Sequence, residues 1–125
     1  MNKHYIQNKD LYDKSLFYGV MENSVGTVKY YLDTGAPVNL TFVTKNNNYN
    51  GHTLLTLAVS EGRVTIVREL LKRGADIYLR NGHGDSALDC KPKRYAGRIN
   101  TLLQERKAFK NFLYGEVVWT LKNKH

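Results

Sequence analysis

Cysteine, proline and tryptophan are scarce in this sequence of 125 residues, which contains one, two and one of them, respectively. Because Cys90 has no second cysteine to pair with, an intramolecular disulfide is excluded and a reducing compartment is favoured. No run of apolar residues approaches the roughly 20 that a membrane-spanning helix needs. Residues 1–10 lack the apolar segment of a signal peptide. We therefore expect a cytoplasmic protein without membrane contact, and delivery into another cell by a signal-free route is the alternative.

Motifs of catalysis and metal binding are also missing. The four histidines stand at positions 4, 52, 83 and 125, and none has metal-ligand spacing from Cys90. His83, Asp85 and Ser86 are the residue types of a hydrolase triad, but neighbours within one turn cannot adopt the geometry of a triad. Neither a Walker A motif nor a complete dinucleotide-binding fingerprint is present. The sequence predicts that the protein is not an enzyme and uses no cofactor or metal.

Acidic residues are few in the second half of the chain. Residues 1–62 contain five basic and five acidic residues, whereas residues 63–125 contain fourteen basic and six acidic ones and so carry the whole net charge of +8. Such an excess is either the solvated outer surface of a terminal unit or a docking patch that steers an acidic partner. Seven basic residues face only Glu105 in the densest part: Lys91, Lys93, Arg94, Arg98, Arg106, Lys107 and Lys110.

Residues 49–82 carry two short helical patterns. Residues 53–60 have apolar side chains at i, i+3 and i+4, and a second stretch of about ten residues after Gly62 has an apolar stripe. Gly74 then ends the second helix, since glycine tolerates the positive φ found just past many helices. A helical hairpin of this size needs neighbours to cover its apolar face.

The neighbours are displaced copies of the same segment. Sliding the segment forward by 33 superimposes Gly51 on Gly84 and Leu70 on Leu103, and sliding it backward by 39 superimposes Val67 on Val28. A 33-residue period of helix, turn and helix with a glycine-rich connection resembles the ankyrin repeat. Residues of the middle copy that fit the family pattern are Gly51, Thr53, Leu55, Ala58, Gly62, Ile66, Val67, Leu70, Leu71, Gly74, Ala75 and Asp76.

The resemblance implies an all-α fold, a short solenoid of helix–turn–helix units joined by β-hairpin-like fingers. One domain over residues 1–125 would comprise repeat 1 at about 12–41, an insertion at 42–47, repeat 2 at about 48–80, a degenerate repeat 3 at about 81–112 and a C-terminal cap at 113–125. The middle copy departs from the family at Leu54 and Thr56, where proline and histidine are usual. We expect the bonding between repeats to be weakened at Thr56.

The ends and the insertion leave alternatives open. Residues 1–11 are either a frayed tail or a short cap, and Asp13 or Ser15 is the expected cap of the first helix. Alternating residues 38–44 predict a longer β-hairpin in the first finger, with its turn at residues 46–48. Pro92 interrupts the first helix of repeat 3, so that helix is short or begins again near the proline. Residues 113–121 form a strand or a terminal helix, and Trp119 either covers the last repeat or anchors a partner.

In the ankyrin family, partners usually meet the fingertips and the exposed side of the first helices, and this resemblance implies a protein-binding module. We expect a monomer that binds an acidic surface of another protein and acts as an inhibitor, immunity-type antidote or effector. The alternative is nucleic-acid binding through the basic stretch from Lys91 to Lys110. The register, with the apolar insertion, gives these candidate contact residues: Thr41, Phe42, Tyr49, Asn50, His52, Ser60, Glu61, Arg73, Arg80, His83, Asp85, Lys93 and Arg94.

Overall fold

A computed structural model describes residues 3–43, 49 and 51–123, with side chains as far as Leu113. This part of the chain contains six helices, namely α1 (Lys3–Gln7), α2 (Lys9–Met21), α3 (Val25–Asp33), α4 (Leu54–Glu61), α5 (Val64–Lys72) and α6 (Ala96–Asn123). Within the described residues β-pairing is limited to one isolated antiparallel bridge, between Thr41 and Thr53. The all-α prediction is confirmed.

Two helical hairpins, α2–α3 and α4–α5, stack with helix α6 around one core. Helix α2 packs on both α3 and α4, α3 packs on α5, and α5 packs on α4 and α6. The middle hairpin, α4–α5, begins with a capping box, in which Thr53 and Thr56 each accept a hydrogen bond from the other's backbone N–H. Its second helix buries the predicted stripe of Ile66, Val67, Leu70 and Leu71. Residues of all the hairpins join the same apolar cluster.

Backbone dihedral angles repeat with the sequence register. The residue between the first and second helix of each copy has a positive φ, at Asn23 (58°), Gly62 (73°) and Tyr95 (57°). The spacings between these three positions are the same two shifts that align the copies. The third copy therefore keeps the elbow of the repeat although no helix precedes it.

The third copy lacks its first helix. Residues 82–95 contain turns and bends without a helix, and α6 begins directly after Tyr95. Pro92 explains the loss, because proline removes a backbone donor and clashes with the preceding turn of a helix. The expected short helix in this segment is therefore absent.

Helix α6 continues well past the repeat. It has 28 residues, which corresponds to a length of about 42 Å. The sequence places the end of repeat 3 at residue 112 and the start of the C-terminal cap at residue 113, but the backbone of α6 is helical across both. The predicted strand over 113–121 is therefore wrong, and the alternative of a terminal helix is right. The side chain of Trp119 lies outside the described part, and its role stays a prediction.

The N-terminal residues form a helical cap. Tyr5 of α1 is 3% exposed and its ring packs edge-on against Tyr12 of α2, with 5.6 Å between the ring centroids. The expected caps at Asp13 and Ser15 are wrong, because α2 begins earlier, at Lys9. Asp13 instead accepts hydrogen bonds from the Tyr5 hydroxyl and from Lys9. Burial and the Asp13 carboxylate raise the pKa of Tyr5 to about 12.

Candidate partner-binding surface

Two finger loops lie side by side at one edge of the stack. In the first, the Phe42 N–H donates to the His52 carbonyl and the Gly51 N–H donates to the Phe42 carbonyl, which is the pairing of a hairpin. The turn predicted at 46–48 lies outside the described residues. The two fingers are joined by the Gly82 N–H, which donates to the Gly51 carbonyl at 2.9 Å.

The second finger presents several polar side chains to solvent. The Asn81 side-chain oxygen accepts from the backbone N–H groups of His83 and Asp85, which fixes the loop and leaves both of those side chains exposed. Arg80 is exposed and donates to the Gly84 carbonyl and to Asp89. Asn81 was not among the predicted residues, although the Asn-Gly pair at 81–82 is a recognised turn signal.

Two candidates of the first finger are placed differently from the expectation. Phe42 is 1% exposed and its ring lies edge-on to that of Phe17, with 5.8 Å between centroids, so its expected place on the loop surface is wrong. Tyr49 is half-buried against the same Phe17 ring. Thr41 is exposed, as expected for a contact residue, whereas Asn50 lies outside the described residues.

His52 belongs to the interior and not to the fingertip. It is 8% exposed, and its Nδ1 atom lies 3.0 Å from the Thr56 hydroxyl and 3.5 Å from the amide nitrogen of Asn81. Thr56 stands where the family has histidine, and the His52 ring supplies a polar link from this position to the next finger. The expectation that His52 is a surface contact is therefore wrong, because its side chain is occupied by contacts between repeats.

Burial lowers the pKa of His52, with a further contribution from neighbouring His83. As the pH falls below about 6.5, the unfolded histidine takes up a proton before the folded one does. The contribution of His52 to stability is therefore complete above this pH and is lost as the pH falls towards the lowered pKa.

We predict that His52→Gln reduces the acid sensitivity of folding. The measurement is the urea midpoint of both proteins at several pH values between about 7 and 5, where an unperturbed histidine titrates. The midpoint of the natural protein should fall more steeply with decreasing pH than that of the variant. Parallel curves would contradict the role given to His52.

The segment 90–94 lies across the C-terminal end of α4, where the missing helix would have packed. The Lys93 N–H donates to the carbonyl of half-buried Ser60 at 3.0 Å, and the Lys93 ammonium lies 2.9 Å from the Glu61 carboxylate. A Cβ atom at Gly62 would be only 2.7 Å from the Arg94 carbonyl oxygen, which shows how closely the segment approaches. Glu61 is 4% exposed, so its predicted role as a surface contact is wrong.

We predict that Lys93→Met lowers the free energy of unfolding by about 1–2 kcal/mol. Removing one member of a buried ion pair leaves an uncompensated charge, but the Lys93 side chain is 57% exposed and water screens part of this effect. Thermal or urea unfolding measures the change. In a double-mutant cycle with Glu61→Gln, the second substitution should restore part of the loss, whereas additive losses would show that the pair contributes nothing.

Some basic residues of the C-terminal half form ion pairs within the protein and others do not. Arg73 is committed to the stack, because it pairs with Glu69 on α5 and with Asp33 on α3 at 2.8 and 2.7 Å. Of the seven basic residues between 91 and 110, Lys93 alone has an ion pair among the described side chains. The other six are Lys91, Arg94, Arg98, Arg106, Lys107 and Lys110. All of them are exposed except Arg106, which is half-buried.

The part of the chain that the structure describes contains neither a metal-binding cluster nor a membrane-spanning helix. No three of the described His, Cys, Asp and Glu side chains form a group that could hold a metal ion. No described helix is both long and apolar enough to cross a membrane. The predictions of no metal and no enzymatic activity rest on the sequence argument.

Comparisons with known proteins agree with the resemblance to ankyrin repeats. A family model described as "Ankyrin repeats (3 copies)" matches residues 2–81, which is more than half of the chain. A similar solved structure is the crystal structure of the ankyrin repeat domain of Bcl-3, described as a unique member of the IkappaB protein family. Its sequence is 31% identical to this chain, and the two structures superimpose with a TM-score of 0.58. That match covers 71% of this chain but 35% of the Bcl-3 chain, so this chain spans about a third of its relative.

The comparison with curated protein sequences gave no match. The family match ends at residue 81, where the described structure begins to depart from a regular repeat. The chain belongs to the ankyrin-repeat family, whose repeats are modules for protein–protein interaction.

Proposed function

We propose that the protein binds an acidic surface of a partner protein and inhibits or masks the partner by covering that surface. One observation carries the proposal, namely the six basic side chains between residues 91 and 110 that form no ion pair with any described side chain. Five of the six are exposed, Arg106 being half-buried, and exposed cations that lack neutralising neighbours attract an oppositely charged partner and orient it during encounter.

The finger and the basic segment form one path along the chain. Arg80 of the finger pairs with Asp89 at 3.4 Å, and the chain then runs through Lys91 to Lys93, which reaches the end of α4. A partner lying along this path would contact the exposed polar residues of the finger at one end and the basic residues at the other. We include Thr41, Arg80, His83, Asp85 and Arg94 in this surface, since all five are exposed.

We propose that the protein acts as an inhibitor, an immunity-type antidote or an effector, and that it is a monomer inside cells. The partners of Bcl-3 are not transferred, because this chain spans only a third of that protein.

Nucleic-acid binding is the second candidate. Tyr95 is 58% exposed between Lys91 and Arg98, and aromatic rings among basic side chains can stack on bases. The logarithm of the affinity for nucleic acid would fall linearly with the logarithm of salt concentration, because binding to the phosphates releases counterions. A protein partner held by shape as well as charge would show a weaker dependence.

The test is capture of partners from a nuclease-treated lysate of the source cells, with identification by mass spectrometry. The charge-reversal variant is Arg98→Glu with Lys107→Glu, because both side chains are exposed and neither has an ion pair with a described residue. Lys93 is left unchanged, because its replacement would remove the ion-pair partner of Glu61. Lys14→Glu with Lys29→Glu is the control, because these exposed lysines lie on the first repeat.

We predict one dominant protein that survives nuclease treatment, is lost in the charge-reversal variant and is retained by the control. Loss of all binding after nuclease treatment would move nucleic-acid binding to first place. Equal retention by all three proteins would contradict the role of the basic surface.

A further inference from the structure

A groove separates α5 from α6 on a part of the surface that contains no finger residue. Its volume is about 460 Å³, and it is lined by Arg68, Leu71, Lys72, Leu102, Glu105, Arg106 and Phe109. Leu71 is buried and Leu102 is half-buried, so these two side chains form the apolar floor. The Arg106 guanidinium donates to the Leu71 carbonyl, which ties the two helices together along the groove.

Apolar side chains continue from the groove along α6. Phe109, Phe112 and Leu113 are 54%, 63% and 46% exposed, although each is a large hydrophobic residue. Their spacing of i, i+3 and i+4 places them on one face of the helix. Large exposed apolar strips of this kind commonly mark interaction sites in soluble proteins. The floor of the groove and this strip together form an elongated apolar track.

The charges around the track are mainly positive. Arg68, Lys72 and Arg106 line the groove and Glu105 is the acidic residue among its lining residues. Lys110 is exposed and lies three residues before Leu113, so these two residues are neighbours on the surface of α6. An apolar floor with basic edges is complementary to a segment that carries apolar residues on one side and carboxylates on the other.

We propose that this groove binds an acidic amphipathic helix of the partner protein. An amphipathic helix lays its apolar face into a hydrophobic groove in a common mode of peptide recognition, and Phe109 would be the anchor at the exposed end. A second copy of this chain is a poor occupant, because the same face would bring Arg68, Lys72 and Arg106 against their own charges. The inference rests on the proposed function and identifies the element of the partner that is bound.

The test uses a synthetic helical peptide with leucines at i, i+3, i+4 and i+7 and glutamates on the remaining faces. A scrambled peptide of the same composition, in which the leucines do not share a face, is the control. Binding to the full chain is measured by fluorescence anisotropy, and the site is located from amide chemical-shift changes. We expect saturable binding of the amphipathic peptide, weaker binding of the scrambled one, and shift changes centred on Leu71, Leu102 and Phe109.

Two substitutions and two controls test the groove itself. Phe109→Ser removes the anchor and Arg68→Glu reverses a charge at the edge, and each should weaken peptide binding about tenfold or more. Tyr30→Ser is the control for loss of an exposed aromatic ring. Lys29→Glu is the control for charge reversal, because Lys29 occupies in α3 the repeat position that Arg68 occupies in α5. Both controls should bind the peptide like the natural protein.

Other outcomes would overturn the proposal. Equal affinity for the two peptides, or shift changes confined to the fingers, would exclude the groove as a helix-binding site. Sedimentation as a dimer that Phe109→Ser dissociates would assign the track to a second copy, and binding to anionic vesicles without peptide binding would assign it to a lipid surface. A partner captured equally by Phe109→Ser, Arg68→Glu and the natural protein, but lost in Arg98→Glu with Lys107→Glu, would overturn the groove and leave the proposed function standing.

Discussion

Leu70→Ala is expected to lower the free energy of unfolding by about 2–5 kcal/mol. Leu70 is 0% exposed, and its helix α5 is the element that packs on α3, α4 and α6 together. Truncation removes transfer free energy and leaves a cavity that neighbours from three helices cannot all move to fill. Native proteins are only marginally stable, so the loss is a large fraction of the total.

Urea unfolding followed by circular dichroism measures this effect. Thr65→Ala is the control, because Thr65 lies on the exposed side of the same helix and surface substitutions usually change stability by less than about 0.5 kcal/mol. Similar midpoints for Leu70→Ala and Thr65→Ala would show that the register assigned to the middle repeat is wrong.

Gly51→Ala is expected to lower the free energy of unfolding by about 2–4 kcal/mol, the combined cost of a left-handed backbone and of overpacking. Gly51 has a φ of +81°, and a Cβ atom there would lie 2.6 Å from the Cα atom and 2.8 Å from the nitrogen of Gly82. The obstructing atoms are backbone, so the second finger would have to move away and would lose the hydrogen bond from the Gly82 N–H to the Gly51 carbonyl.

Gly84→Ala separates the two contributions. Gly84 occupies the same repeat position, has a nearly equal φ of +83°, and has no atom of a residue beyond its two chain neighbours within 4 Å of its Cβ position. Its substitution should cost only the backbone strain, about 1–2 kcal/mol. Equal losses for the two variants, measured by thermal unfolding, would mean that the fingers do not make the close contact described for them.

The repeat register could be predicted because chemically similar residues recur at fixed spacing. Val28 and Val67 are both fully buried, and Leu32 and Leu71 are both buried in successive second helices, as the alignment of the first copy on the second requires. The positive φ at Asn23, Gly62 and Tyr95 follows the same register. Here local sequence, backbone geometry and burial agree, which is the condition under which a sequence specifies its fold.

Long-range contacts were harder to predict. The alternation of residues 38–44 does not reveal which face of the finger packs inward, and the ring that Phe42 contacts, Phe17, is 25 positions away. The pair between Glu61 and Lys93 joins residues 32 positions apart with no local signal in either.

The course of helix α6 was ambiguous for a different reason. Residues 113–121 combine Gly115 with β-branched and aromatic residues, which are typical of strands, although the backbone there is helical. The groove beside Phe109 depends on how α6 packs against α5, and periodicity alone could not place it.

Hydrogen–deuterium exchange of the full chain, with and without its captured partner, tests the central claim most directly. Binding through the basic surface predicts slower exchange in peptides from residues 80–113, with residues 3–33 unchanged. Slower exchange confined to residues 3–33, with residues 80–113 unchanged, would contradict the account, because the partner would then be bound by the first repeat and not by the basic C-terminal half.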